Sequence, residues 1–139
     1  MKKQEQGKTL LARVGIAAFV LAASVTMTTG ANAAGDPALG EKVFKKCKTC
    51  HMIGEGAKSK QGPLLNGIID RPAGTVEKFR YSKALKAKAA EGLVWDEASL
   101  AAYLKAPRKF IPKGKMAFAG LRKEKDVVNL LAYLKTFQE

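Results

Sequence analysis

The sequence predicts an all-α fold of short helices joined by long loops, and three observations carry that expectation. Apolar residues recur at helical spacing after Asp36, Asp96 and Lys123, and Ser82 opens a short Ala- and Lys-rich stretch of helical character. No alternating run is long enough to make a useful strand. Long irregular stretches separate the periodic ones, and in a small domain such loops need something to pack against.

Residues 1–33 are expected to stand outside the fold. Lys2, Lys3, Lys8 and Arg13 form a positive leader, Val14 to Val25 is an uncharged apolar run, and Ala31-Asn32-Ala33 is an A-x-A cleavage site. The pattern is that of a cleaved secretory signal. The alternative is an uncleaved membrane anchor, but the apolar run falls short of the ~18 residues that a spanning helix needs. Residues 34–139 then form one domain, expected in a bacterial periplasm or an equivalent compartment. A domain of this size buries only about two-thirds of its unfolded surface, so a large apolar cofactor would add substantially to its core.

The first helix begins at Asp36-Pro37, with Asp36 as N-cap and Pro37 at the first helical position, where its missing N–H costs nothing. Leu39, Val43, Phe44 and Cys47 share one side of it. Gly40 lies in mid-helix, where glycine is unfavourable by ~1 kcal/mol relative to alanine; a close backbone approach by another helix would account for it. From Met52 to about Arg80 the glycines and prolines read as loop and turn. Ser82 caps a short Ala- and Lys-rich helix ending at Gly92. Asp96 caps another, which runs through Leu100, Tyr103 and Leu104 and stops before Pro107. Residues 107–121 read as a second irregular loop. A last helix runs from about Lys123 to Phe137, with Val127, Leu130, Leu131, Tyr133, Leu134 and Phe137 at helical spacing.

Cys47-Lys48-Thr49-Cys50-His51 is a C-x-x-C-H motif, the arrangement of covalent haem attachment. On one helical turn the two thiols reach the two vinyl groups of a porphyrin edge, and the adjacent imidazole turns in to the iron. Three other readings compete. A thioredoxin-like redox pair would sit beside a βαβ pattern, which is not found. A structural zinc site needs four ligands, whereas the chain holds two cysteines and one histidine. A simple disulfide leaves His51 unexplained.

With His51 as one axial ligand, the candidates for the other are few. Met1 and Met27 would leave with the signal, and Met52 is adjacent to His51 and cannot reach around the ring. Met116 is left, in a loop with Pro112 and Gly114 that can present it; lysine ligation and an open site are the alternatives. A thioether ligand raises the reduction potential, and a filled sixth position denies the iron to small molecules. The expected activity is one-electron transfer without chemistry on a bound substrate, hence no enzyme. An open site would instead suit a peroxidase or gas binder, and a thiol-redox or structural module would hold no haem.

Gly40 with Phe44, the Cys47–His51 motif, Gly62-Pro63, Arg71, Tyr81, Trp95, Tyr103, Pro107, Lys115-Met116 and Leu130 with Tyr133 resemble, in type and spacing, the class I c-type cytochromes over essentially all of residues 34–139. The branch is that of cytochrome c2, close to mitochondrial cytochrome c. The resemblance implies the class I cytochrome c fold, short helices and loops wrapped around one haem c held through Cys47 and Cys50, with His51 and Met116 on the iron. It implies that the Pro63 carbonyl accepts from the other His51 nitrogen. Arg71, Tyr81 and Trp95 would be donors around the haem propionates, with a plain core role the alternative for the two aromatics. Tyr103 would hydrogen-bond near the Met116 sulfur, and Gly40 and Phe44 would pack on Leu130 and Tyr133. Three features depart from the family pattern: Asp70 where glycine is usual, Gly114 where a propionate-binding threonine is frequent, and a longer segment Lys86 to Glu91.

The chain carries +13 at pH 7, and the removal of residues 1–33, with four basic residues and Glu5, leaves +10. Export and the lack of an aromatic-studded basic motif argue against nucleic acid. Lys45, Lys46, Lys48, Lys58, Lys109, Lys113 and Lys115 are near the haem motif or the Met116 loop, so a basic collar around the haem edge is expected; charge for solubility alone is the plainer reading. The resemblance implies a monomer that makes transient contact with acidic faces of a cytochrome bc1-type complex, a terminal oxidase or a photosynthetic reaction centre, and a periplasmic dehydrogenase is another candidate donor.

Overall fold

Asp36 starts the fold by satisfying backbone groups on both sides of itself. Its carboxylate accepts from the N–H groups of Ala38 at 2.8 Å and Leu39 at 3.1 Å, and its own N–H donates to the side chain of Asn129 at 2.9 Å. The computed structural model describes residues 35–138, so the expected signal segment and the cleavage site lie outside the described residues. Five helices follow: α1 (Pro37–Phe44), α2 (Lys83–Ala90), α3 (Glu97–Lys105), α4 (Pro107–Phe110) and α5 (Glu124–Lys135). Among the described residues the only β-pairing is an isolated bridge between Pro72 and Val94, and no helix is long and apolar enough to cross a membrane.

The core forms where α1 crosses α5. Phe44, Val127 and Leu130 are almost fully buried with Ile111, and burying side chains of this kind stabilises by ~1.5–3 kcal/mol each. Gly40 makes the crossing possible: a Cβ placed there would lie 2.6 Å from the Tyr133 Cβ and against the Asn129 backbone. The Phe44 and Tyr133 rings meet at 5.3 Å beside it.

Local signals set most helix ends. Ser82 Oγ accepts from the Leu85 N–H at 3.1 Å and Asp96 from the Ser99 N–H at 2.7 Å. At the end of α2, Gly92 takes φ +89°, its N–H donates to Ala89 O, and the Leu93 N–H donates to Lys88 O, the paired bonds of a Schellman cap. The segment 107–121, expected to be wholly irregular, differs at its start. Pro107 is buried and opens the single turn α4, because its fixed φ and missing N–H suit a first helical position as well as they end the helix before it.

Asp70 holds a left-handed backbone, φ +58°, while its N–H donates to Trp95 O at 3.0 Å. The family's usual glycine adopts that conformation without a steric penalty. Asp70→Gly keeps the backbone bond and is expected to stabilise the haem-loaded protein by about 0.5 kcal/mol. A fall in the urea midpoint would contradict this reading.

Candidate functional site

The cysteine segment leaves α1 as a continuing coil. The Lys48 N–H donates to Phe44 O at 3.2 Å and the His51 N–H to Cys47 O at 2.9 Å, so Cys47 and Cys50 stand one turn apart with His51 beside them. The segment borders a cavity of about 650 Å³, within the range of cofactor sites. Cys47, Cys50, His51 and Pro63 line it, as do Arg71, Tyr81, Trp95, Tyr103 and Met116. The fold therefore brings every expected site residue to one space.

His51 is held from two directions. Its Nδ1 is 2.7 Å from Pro63 O; a carbonyl only accepts, so Nδ1 carries the proton and Nε2 keeps its lone pair. A Cβ on Gly62 would come within 2.6 Å of both ring nitrogens, so only glycine lets the ring lie against the chain there. The Gly62 N–H donates to Cys50 O at 2.8 Å, which fixes that approach. Burial lowers the His51 pKa, with the Pro63 carbonyl opposing it; burial wins and favours the neutral imidazole, while the carbonyl orients the ring for a metal.

Burial pushes the Cys47 thiol up to about 11, against the pull of Lys46, with Cys50 adding to the rise. A buried thiol of this kind is not activated as a nucleophile. Among the described residues no three His, Cys, Asp or Glu side chains form a group that could hold a metal ion.

Met116 reaches the cavity on a loop tied to α3. The Leu121 N–H donates to Leu104 O at 2.8 Å, and Gly120, at φ +100°, runs against the Lys105 backbone, where a Cβ would be 2.8 Å from the carbonyl carbon. The Tyr103 hydroxyl donates to Met116 Sδ at 3.7 Å. Burial raises the Tyr103 pKa, so the phenol stays protonated as the donor.

Arg71, Tyr81 and Trp95 border the same space but already have tasks in the chain. The Arg71 guanidinium donates to Asn66 O at 2.8 Å and to Leu64 O at 3.2 Å. Asn66 in turn bonds both the N–H and the carbonyl of Gly54 at 3.0 Å, and these links order the loop of residues 52–80. The Tyr81 hydroxyl accepts from the Val76 N–H at 3.2 Å, which leaves its own proton free. Trp95 is buried against Tyr103, ring centroids 5.0 Å apart. The sequence reading missed Phe118, Ile68, Leu104 and Leu134, which also line the cavity. Phe118, two residues beyond Met116, was the one with a local signal.

The lining suits a large, mostly apolar prosthetic group: two thiols and an imidazole from one segment, a thioether from another, and aliphatic and aromatic walls between them. Lys45, Lys48, Lys58, Lys109, Lys113 and Lys115 are all exposed, and Lys46 is 3.7 Å from Asp126. Lys60, Lys78 and Arg80, which the sequence reading left out of the collar, border the cavity directly.

The sequence profile described as Cytochrome c matches residues 37–138. The chain is similar to cytochrome c2 of Afifella marina, 52% identical over 100 residues that span 72% of this chain and 81% of the relative. It is similar also to cytochrome c2 of Agrobacterium tumefaciens (strain II Chrys), 54% identical over 100 residues, 72% of this chain and 90% of the relative. The solved structure of cytochrome c2 from Rhodospirillum centenum superposes with a TM-score of 0.71 at 41% identity, covering 76% of this chain and all of that one.

Proposed function

Because the chain belongs to the cytochrome c family, with the class I fold, we propose that it is a soluble periplasmic one-electron carrier whose haem iron is held by His51 and Met116. Membership makes it an electron carrier and not an enzyme, with one covalent haem c. When bound, the haem supplies a one-electron couple at its iron. Cys47 and Cys50 would hold it, and the observation that carries the ligand assignment is that His51 Nδ1 lies on Pro63 O at 2.7 Å while Met116 Sδ accepts a hydrogen bond from the Tyr103 hydroxyl at 3.7 Å, in the same cavity.

Each of these side chains has a separate task. Pro63 fixes the imidazole tautomer and makes Nε2 a better donor. Tyr103 orients one sulfur lone pair and leaves the other available. Arg71, Tyr81 and Trp95 offer donors to the acidic edge of the ring. Residues 1–33 act as the export signal. An optical spectrum of the oxidised, haem-loaded protein tests the ligand pair: the weak far-red band of methionine on ferric iron is expected, and its absence together with ready uptake of carbon monoxide would point to an open site.

The basic collar would steer the protein onto acidic faces of a cytochrome bc1-type complex, a terminal oxidase, a photosynthetic reaction centre or a periplasmic dehydrogenase. Raising ionic strength from about 10 to 150 mM shortens the screening length from ~30 to ~8 Å. The second-order rate with an acidic partner is expected to fall about tenfold or more across that range. A flat response would mean that the lysines serve solubility alone.

A further inference from the structure

Next to the large cavity is a smaller recess of about 520 Å³. Five cations line it, Lys78, Arg80, Lys83, Lys86 and Lys115, all exposed. None of them takes part in the ion pairs found among the described residues. Phe79 and Tyr81, edge to face at 4.7 Å, give it an apolar wall.

Three of these cations are placed where they oppose the fold. Lys83 and Lys86 occupy the first turn of α2, which has no acidic residue, so their charges face the positive end of the helix dipole. Lys78 holds φ +58°, a backbone conformation that side chains other than Asn and Asp rarely take. Like charges gathered around one recess also repel each other. An anion between them would offset the mutual repulsion and the conflict of Lys83 and Lys86 with the helix dipole.

We propose that this recess binds a multivalent phosphate-bearing anion, and that the source is a free condensed phosphate such as diphosphate. Lysines are point-charge binders of phosphate and the Arg80 fork matches two of its oxygens. A concave, cation-lined recess admits a small anion more readily than it admits a flat protein face. The recess shares Lys78, Phe79, Arg80, Tyr81 and Lys115 with the large cavity. A bound anion would therefore neutralise part of the collar and slow association with acidic partners.

Calorimetric titration of the haem-loaded protein with sodium diphosphate at low salt is expected to saturate at a single site. K83Q/K86Q should weaken binding about tenfold, while K42Q/K125Q, which removes the same charge from α1 and α5, should weaken it less than about twofold. Equal weakening by the two variants would show a response to net charge only and overturn the proposal, as would titration without saturation. K83Q/K86Q relieves a conflict with the helix dipole and should melt no lower than the parent, which separates lost binding from lost folding. Vesicles of phosphatidylglycerol form the second arm: a K83Q/K86Q effect on vesicle binding, with no binding of free diphosphate, would assign the phosphate to a lipid headgroup and overturn the free source.

Discussion

Met116→Ala is expected to lower the midpoint potential of the haem-loaded protein and change the spin state of its iron. A neutral thioether does little to stabilise ferric charge, so its loss favours the oxidised form. Axial ligands tune potentials over ~0.8 V, and a drop on the order of 0.1 V is expected. The loop itself should persist, since the Leu121 N–H on Leu104 O and the approach of Gly120 to Lys105 hold it without Met116. Tyr103→Phe removes only the 3.7 Å donor to sulfur and should shift the potential less while leaving the ligand in place. Redox titration with spectra of both variants distinguishes these outcomes. A Met116→Ala protein of unchanged spin state and potential would remove Met116 from the iron.

What the sequence disclosed follows the range of the interactions involved. Asp36, Ser82 and Asp96 each accept from a backbone N–H within three residues, so the starts of α1, α2 and α3 are written locally. The C-x-x-C-H spacing is also local, and it identifies the cofactor without reference to the rest of the chain. Links across the fold were not legible. Asn129 accepts from the Asp36 N–H 93 residues away, and Gln138 both accepts from and donates to the backbone of Ile69, yet neither side chain differs in sequence from an ordinary surface amide.

The collar shows the same limit. Proximity in sequence to His51 and Met116 selected Lys45, Lys58 and Lys109, but Lys60, Lys78 and Arg80 reach the cavity through the folding of the loop. The presence of α4 was hidden for another reason. Pro107 both ends one helix and begins the next, and a sequence pattern registers only the first effect.

Gly40→Ala sets two known effects against each other, and the packing term should win. Within an isolated helix the change is worth ~1 kcal/mol in favour of alanine. Here the added Cβ would meet the Tyr133 Cβ at 2.6 Å and the Asn129 backbone, neither of which is the free end of a flexible side chain. Relief requires α1 to move away from α5, which opens the contacts of Phe44 with Tyr133 and Leu130 and draws Asp36 from the Asn129 side chain. Overpacking of this kind costs ~1–3 kcal/mol and sometimes more, and backbone contact places Gly40 at the upper end, so after the propensity gain a net loss of about 2 kcal/mol is expected. Against a total stability of ~5–15 kcal/mol, the urea midpoint of the haem-loaded protein should fall markedly. Ala38→Gly, on the exposed side of the same helix, should cost only ~1 kcal/mol. A Gly40→Ala protein as stable as its parent would mean that the two helices do not cross at this residue.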